Sequence, residues 1–145
     1  MKNTGVELFN KLLAAFNQGA AEVVALYTED ATVEYPYAAS LGSSARMNMR
    51  DYENHLKGGL EQMPHIKFSR VRIYQTIEPD SCWAEAHGET VILKTGKLYS
   101  QDYVMYFQIT DGKFSFYREY WNAVPVMNAF GGNDSFKETF NTNEK

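Results

Sequence analysis

The stretch KFSFYREYWNAV, residues 113–124, decides how this chain folds. Read at a period of two it is a strand, and one face then carries Tyr117, Glu119 and Trp121, a carboxylate between two large aromatics. Arg118 falls on the opposite face, towards solvent or an interface. Three earlier runs share the period: IKFSRVRIYQTI at 66–77, SCWAEAHGETVIL at 81–93 and KLYSQDYVMYFQI at 97–109. The short joints EPD, KTGK and TDGK link successive runs, and Gly, Pro and Asp in such joints favour tight turns. The second half of the chain therefore reads as a meander of four long antiparallel strands.

Upstream the period changes to that of a helix. Val6, Phe9, Leu12, Leu13 and Phe16 recur at helical spacing, and Ala21 to Tyr27 continues in helix formers after the break at Gly19. ATVEYP, residues 31–36, alternates as a strand and stops at its proline. Ala38 to Ala45, rich in Ser, Gly and Ala, reads as a loop. Asn48, with Asp51 three residues on, is a helix cap, after which Tyr52, His55, Leu56, Gly59, Leu60 and Met63 share one face until Pro64. His55 thus points inward. Three helices followed by a meander give an α+β domain in which a curled sheet wraps the helices. It occupies residues 1–131, and the polar residues 132–145 are set apart as a tail.

Composition narrows the function. A chain of 145 residues, 44% of them hydrophobic, has material for one core and no room for a second domain. With 14 basic against 18 acidic residues and no basic stripe, nucleic acid is excluded as a partner. Cys82 is alone, so no intrachain disulfide forms, and no apolar run approaches the roughly 18 residues of a membrane span. Together with the lack of a leader-like N-terminus, these features predict a cytoplasmic protein.

Several segments resemble a known superfamily. ALYTEDATVEYP, residues 25–36, is similar to the opening of the ketosteroid isomerases and SnoaL-like polyketide cyclases, which share the nuclear transport factor two-like fold. HLKGGLEQMP (55–64), VRIYQTIEPDSCWAEAHGE (71–89) and DGKFSFYREYWNAVPVMNAFG (111–131) resemble, in order, segments of the phenazine-biosynthesis A/B family, the closer match. The resemblance covers residues 25–131. It implies a cone-shaped, cystatin-like or ketosteroid-isomerase-like α+β fold, with three N-terminal helices wrapped by a curved, mostly antiparallel sheet around a deep apolar pocket.

Its functional residues transfer unevenly. In ketosteroid isomerases a tyrosine on the first helix and two aspartates do the chemistry, and the matching positions here are Leu12, Tyr35 and Met105. Steroid isomerisation by that set is thereby disfavoured. In the phenazine family a histidine on the third helix, a serine one turn later and a glutamate in the last strand are assigned acid/base roles. The matches are His55, Gly59 and Glu119. Replacing serine by Gly59 removes a hydroxyl, a change that bears on the substrate more than on proton transfer.

The chemistry these residues support follows from burial. A carboxyl between Tyr117 and Trp121 loses water, which penalises its charged form and raises its pKa towards neutrality. His55 starts from about 6.5 and needs only a small perturbation to exchange protons with it. With walls from Phe16, Tyr35, Gly59, Tyr103, Met105, Tyr117 and Trp121, the pocket suits a flat, mostly apolar ligand. The expected activity is acid/base isomerisation, cyclisation or condensation of a small cyclic or aromatic metabolite by Glu119 and His55. The alternative is a non-catalytic carrier or sensor of the same ligand. Plainer readings make His55 a satisfied core residue and Glu119 half of an ion pair with Arg50, Arg72 or another base.

Trp83, Glu85, His87 and Glu89 share one strand face. Same-face neighbours stand about 6.6 Å apart, too far for three consecutive ones to hold one ion. No Gly-rich phosphate loop opens a helix, so neither metal nor nucleotide cofactor is expected. The outer face of the sheet would stay exposed in a monomer, which predicts a homodimer through that face.

Overall fold

A computed structural model describes residues 4–132 and Thr139. Its elements are α1 (Thr4–Phe16), α2 (Ala20–Val24), β1 (Tyr27–Glu34), β2 (Arg46–Met47), α3 (Met49–Gln62), β3 (Lys67–Gln75), β4 (Ser81–Val91), β5 (Leu98–Thr110), β6 (Lys113–Trp121) and α4 (Ala123–Phe130). A short 3-10 turn, Ala38–Leu41, lies in the loop after β1. Of the tail, only Gly132 and Thr139 are among the described residues, and Thr139 is buried. No helix of the described residues is long and apolar enough to cross a membrane.

The strands form one curved sheet in the order β2-β1-β6-β5-β4-β3. The period-two runs pair as an antiparallel meander, β3 to β6, with Met105 opposite Glu119 and Tyr103 opposite Trp121. In β4 the residues Cys82, Ala84, Ala86 and Gly88 are buried while Trp83 and Glu85 are exposed, the alternation of a sheet with one covered face. Parity alone does not carry through β6. The register shifts between Gln108 and Ile109, whose partners are Phe116 and Phe114. This bulge at Ser115 lets Phe114 and Tyr117, of opposite parity, both lie buried.

Three departures from the sequence reading have local causes. The helical pattern read through Tyr27 stops at Val24, and Tyr27 opens β1 because its ring packs against Tyr52 and Phe114, at 5.4 and 5.0 Å between centroids. Strand β1 joins the sheet in parallel beside β6, a pairing between distant segments that no local pattern announces. The final run ends as a strand at Trp121. Asn122 then caps α4, its Oδ1 accepting from the Val124 N–H at 2.9 Å, and Val126, Ala129 and Phe130 turn into the core.

Helix α3 sets the ceiling of the pocket. The Asn48 Oδ1 accepts from the Asp51 N–H at 2.9 Å, the cap read from the sequence. Met49, Tyr52, Leu56 and Gly59 are its buried residues, spaced three to four apart. Below the pocket, Phe9 stacks on Phe107 at 5.8 Å and Phe107 meets the edge of Phe114 at 5.1 Å, a solid aromatic floor.

Candidate active site

Above that floor the packing opens into a cavity of about 90 Å³ between the sheet, α1, α3 and α4. Phe16 enters from the end of α1, Tyr35 from the chain after β1, and His55 and Gly59 from α3. Tyr103 and Met105 come from β5, and Tyr117, Glu119 and Trp121 from β6. All nine line the cavity. So do residues that sequence reasoning did not assign to it, among them Phe68, Tyr99, Val126 and Phe130. Tyr99 was detectable, since it shares parity with Tyr103 and Met105 on β5. Val126 and Phe130 were hidden by reading the start of α4 as strand.

Among the described residues one neighbour holds Glu119 by a hydrogen bond. The Tyr117 hydroxyl donates to Glu119 Oε1 at 2.8 Å. Loss of water pushes the carboxyl up to about 7, and the Tyr117 bond, which favours the charged form, opposes this only in part. Among the described residues no salt bridge reaches Glu119, and Arg50 and Arg72 are exposed. The ion-pair reading is thus replaced by a hydrogen-bonded, desolvated acid. Arg118, on the outer face, donates instead to Glu34 at 3.0 Å.

His55 corrects the expectation of a group poised near neutrality. Its ring lies 5.3 Å from that of Tyr35 and stacks at 6.5 Å on that of Tyr52. Burial disfavours the imidazolium and brings the pKa down to about 4. At neutral pH it is a neutral ring that can give one hydrogen bond and accept another. Both Glu119 and His55 retain some accessible surface, but they line the cavity, so that surface does not restore bulk hydration.

Phenols surround the acid. Burial first, and then neighbouring phenols and Glu119, hold Tyr27, Tyr35, Tyr103 and Tyr117 well above the ordinary phenol range. They remain protonated at neutral pH and act as hydrogen-bond donors. Among the described residues of the pocket Glu119 is therefore the group that changes charge near pH 7.

The four-residue face of β4 is occupied differently. His87 Nδ1 meets Asp102 Oδ1 at 2.7 Å and its Nε2 meets Glu89 Oε2 at 2.8 Å, so both ring nitrogens are engaged. Among the described residues no three His, Cys, Asp or Glu side chains converge as metal ligands.

A helix-filled, curved sheet enclosing an apolar pocket lined by a buried acid defines an α+β protein of the ketosteroid-isomerase-like fold. Residues 9–117 match the SnoaL-like domain, and the chain belongs to that family. It is 31% identical over 108 residues to the uncharacterized PhzA/B-like protein PA3332 of Pseudomonas aeruginosa, covering 74% of this chain and 75% of that one. The uncharacterized protein YesE of Bacillus subtilis is 31% identical over 115 residues, covering 79% and 76%. A crystal structure from Bacillus subtilis, described provisionally as an isomerase, superposes with a TM-score of 0.78 at 28% identity, covering 90% of this chain and 97% of that one.

Proposed function

We propose that this protein binds a small, largely apolar cyclic or aromatic metabolite in the pocket and moves a proton on it, in an isomerisation, cyclisation or condensation without a cofactor. The observation that carries this reading is Glu119, a carboxyl lining the pocket, hydrogen-bonded by Tyr117 and pushed by burial up to about 7. A group so poised can take a proton from one ligand atom and return it to another. His55, neutral beside it, orients a ligand heteroatom rather than supplying charge. The aromatic walls of Phe16, Tyr35, Tyr103, Tyr117 and Trp121 favour a flat ligand, and Met105 adapts to its outline. Gly59 leaves space where the phenazine family carries a serine.

Residues 1–131 form the working domain in this reading, with 132–145 as an appended tail. The free, buried Cys82 suits a reducing cytoplasm. Two copies pair through the outer sheet face, where Trp83, Tyr74 and Val104 are 38%, 48% and 41% exposed.

The test begins with native mass spectrometry of the purified protein to identify a co-purifying ligand. With that ligand as substrate, Glu119→Gln should lower turnover by about 100-fold or more while affinity persists. Unchanged turnover refutes the catalytic role. Tight binding with no turnover in the unaltered protein leaves a carrier.

A further inference from the structure

Gln101 is the least exposed of the buried non-aromatic polar side chains among the described residues, at 1%, and its amide has a fixed orientation. Oε1 accepts from the Asn122 N–H at 3.0 Å, and Nε2 donates to the Asn122 carbonyl at 2.8 Å. Exchanging oxygen and nitrogen would set donor against donor and acceptor against acceptor. The second hydrogen on Nε2 is thereby directed to the Tyr99 hydroxyl at 3.3 Å. That hydroxyl also meets the Tyr103 hydroxyl at 3.0 Å.

Two phenols carry two hydrogens, and the bond between them uses one. Because the Tyr99 oxygen already accepts from Gln101, no rearrangement within the chain consumes the other. If Tyr99 donates to Tyr103, the Tyr103 hydrogen is left over; if the direction reverses, that of Tyr99 is left over. Among the described residues neither phenol has a further acceptor. Both side chains line the cavity; Tyr99 is 6% exposed and Tyr103 is half-buried. A buried hydroxyl without an acceptor is unfavourable, and donation from Gln101 strengthens the remaining O–H by polarising the chain.

We propose that the Tyr99–Tyr103 hydroxyl pair is a docking point for a ketone oxygen of the pocket's ligand. This deepens the reading of the pocket given above and rests on it. Among the described residues the lining contains no Lys or Arg, and Glu119 shares the cavity, so an anionic oxygen would meet no countercharge from them. A neutral carbonyl accepts the hydrogen bond without that penalty. On the sheet Tyr103 lies opposite Trp121 and Met105 opposite Glu119, which makes Tyr103 and Glu119 diagonal neighbours. Diagonal sites are about 7 to 8 Å apart, so one ketone can reach the hydroxyl pair with its oxygen while presenting an adjacent C–H to Glu119, and a second ring would extend towards the open side of the cavity.

The probes are 1-tetralone and tetralin, which differ by the carbonyl group at nearly equal size. The ratio of tetralone to tetralin affinity, measured by isothermal titration calorimetry, should fall about 10-fold in the Tyr99→Phe/Tyr103→Phe variant. Retained tetralin affinity in that variant reports an intact pocket. Independently of any variant, the carbonyl carbon of 13C-labelled tetralone bound to the unaltered protein should resonate downfield of its position in cyclohexane. An unchanged affinity ratio, or a bound carbonyl at its cyclohexane position, overturns the docking point and leaves the pocket reading standing. If neither probe binds the unaltered protein, the pocket reading fails and takes the docking point with it.

Discussion

Replacing Glu119 by glutamine (Glu119→Gln) should stabilise the protein above pH 7 and leave its stability little changed near pH 4.5. The folded carboxyl titrates at about 7 against an ordinary 4.5. Between those values the native state keeps a proton that the unfolded chain has released, so stability falls as pH rises. At about 1.4 kcal/mol per tenfold, the full loss is about 3 kcal/mol, trimmed towards about 2 by whatever water enters the cavity. Glutamine keeps the shape and an oxygen for the Tyr117 hydroxyl, but has no charge to desolvate. His55 contributes with the opposite sign. Its pKa of about 4 lies below the ordinary 6.5, so its contribution is present at neutral pH and is lost as pH falls through that interval. In the unaltered protein the two slopes nearly cancel between pH 4.5 and 6.5. In Glu119→Gln only the His55 slope remains, and stability from this pair climbs by about 3 kcal/mol from pH 4 to 6.5. Urea unfolding followed by tryptophan fluorescence, at half-unit steps from pH 4.5 to 8.5, measures both curves. A glutamine variant less stable at pH 8, by the roughly 3 to 5 kcal/mol that breaking a buried ion pair costs, would refute the reasoning. So would a difference independent of pH.

Two further outcomes are expected. Tyr117→Phe removes the hydrogen bond that favours the Glu119 carboxylate, so the Glu119 titration, followed by carboxyl 13C resonance, should move to higher pH; an unmoved midpoint would mean that the bond does not form in solution. Trp83→Glu puts a charge into the outer-face aromatic cluster, where Trp83 lies 5.2 Å from Tyr106 and 6.3 Å from Tyr120, and sedimentation should show dimer giving way to monomer with unchanged circular dichroism.

Much of this architecture is legible locally. The period-two runs between residues 66 and 121 specify which strands form and, through short turns, that they pair in succession. Parity orients Tyr117, Glu119 and Trp121 together, and the Asn48 cap with its three-to-four spacing orients His55 and Gly59. These features persist because each depends on residues a few positions apart. The extent of α2, the strand role of Tyr27 and the start of α4 at Ala123 are not legible in this way. There a buried ring or a cap overrides an apolar run that suits helix and strand alike. The charge states also lie beyond local pattern, because desolvation depends on everything packed around a group. That dependence drives His55 down to about 4 and Glu119 up to about 7 from the same pocket. The Gln101, Tyr99 and Tyr103 chain is tertiary for the same reason. Its anchor is the backbone of Asn122, 21 residues away, and only the closing of β5 against β6 brings the two together.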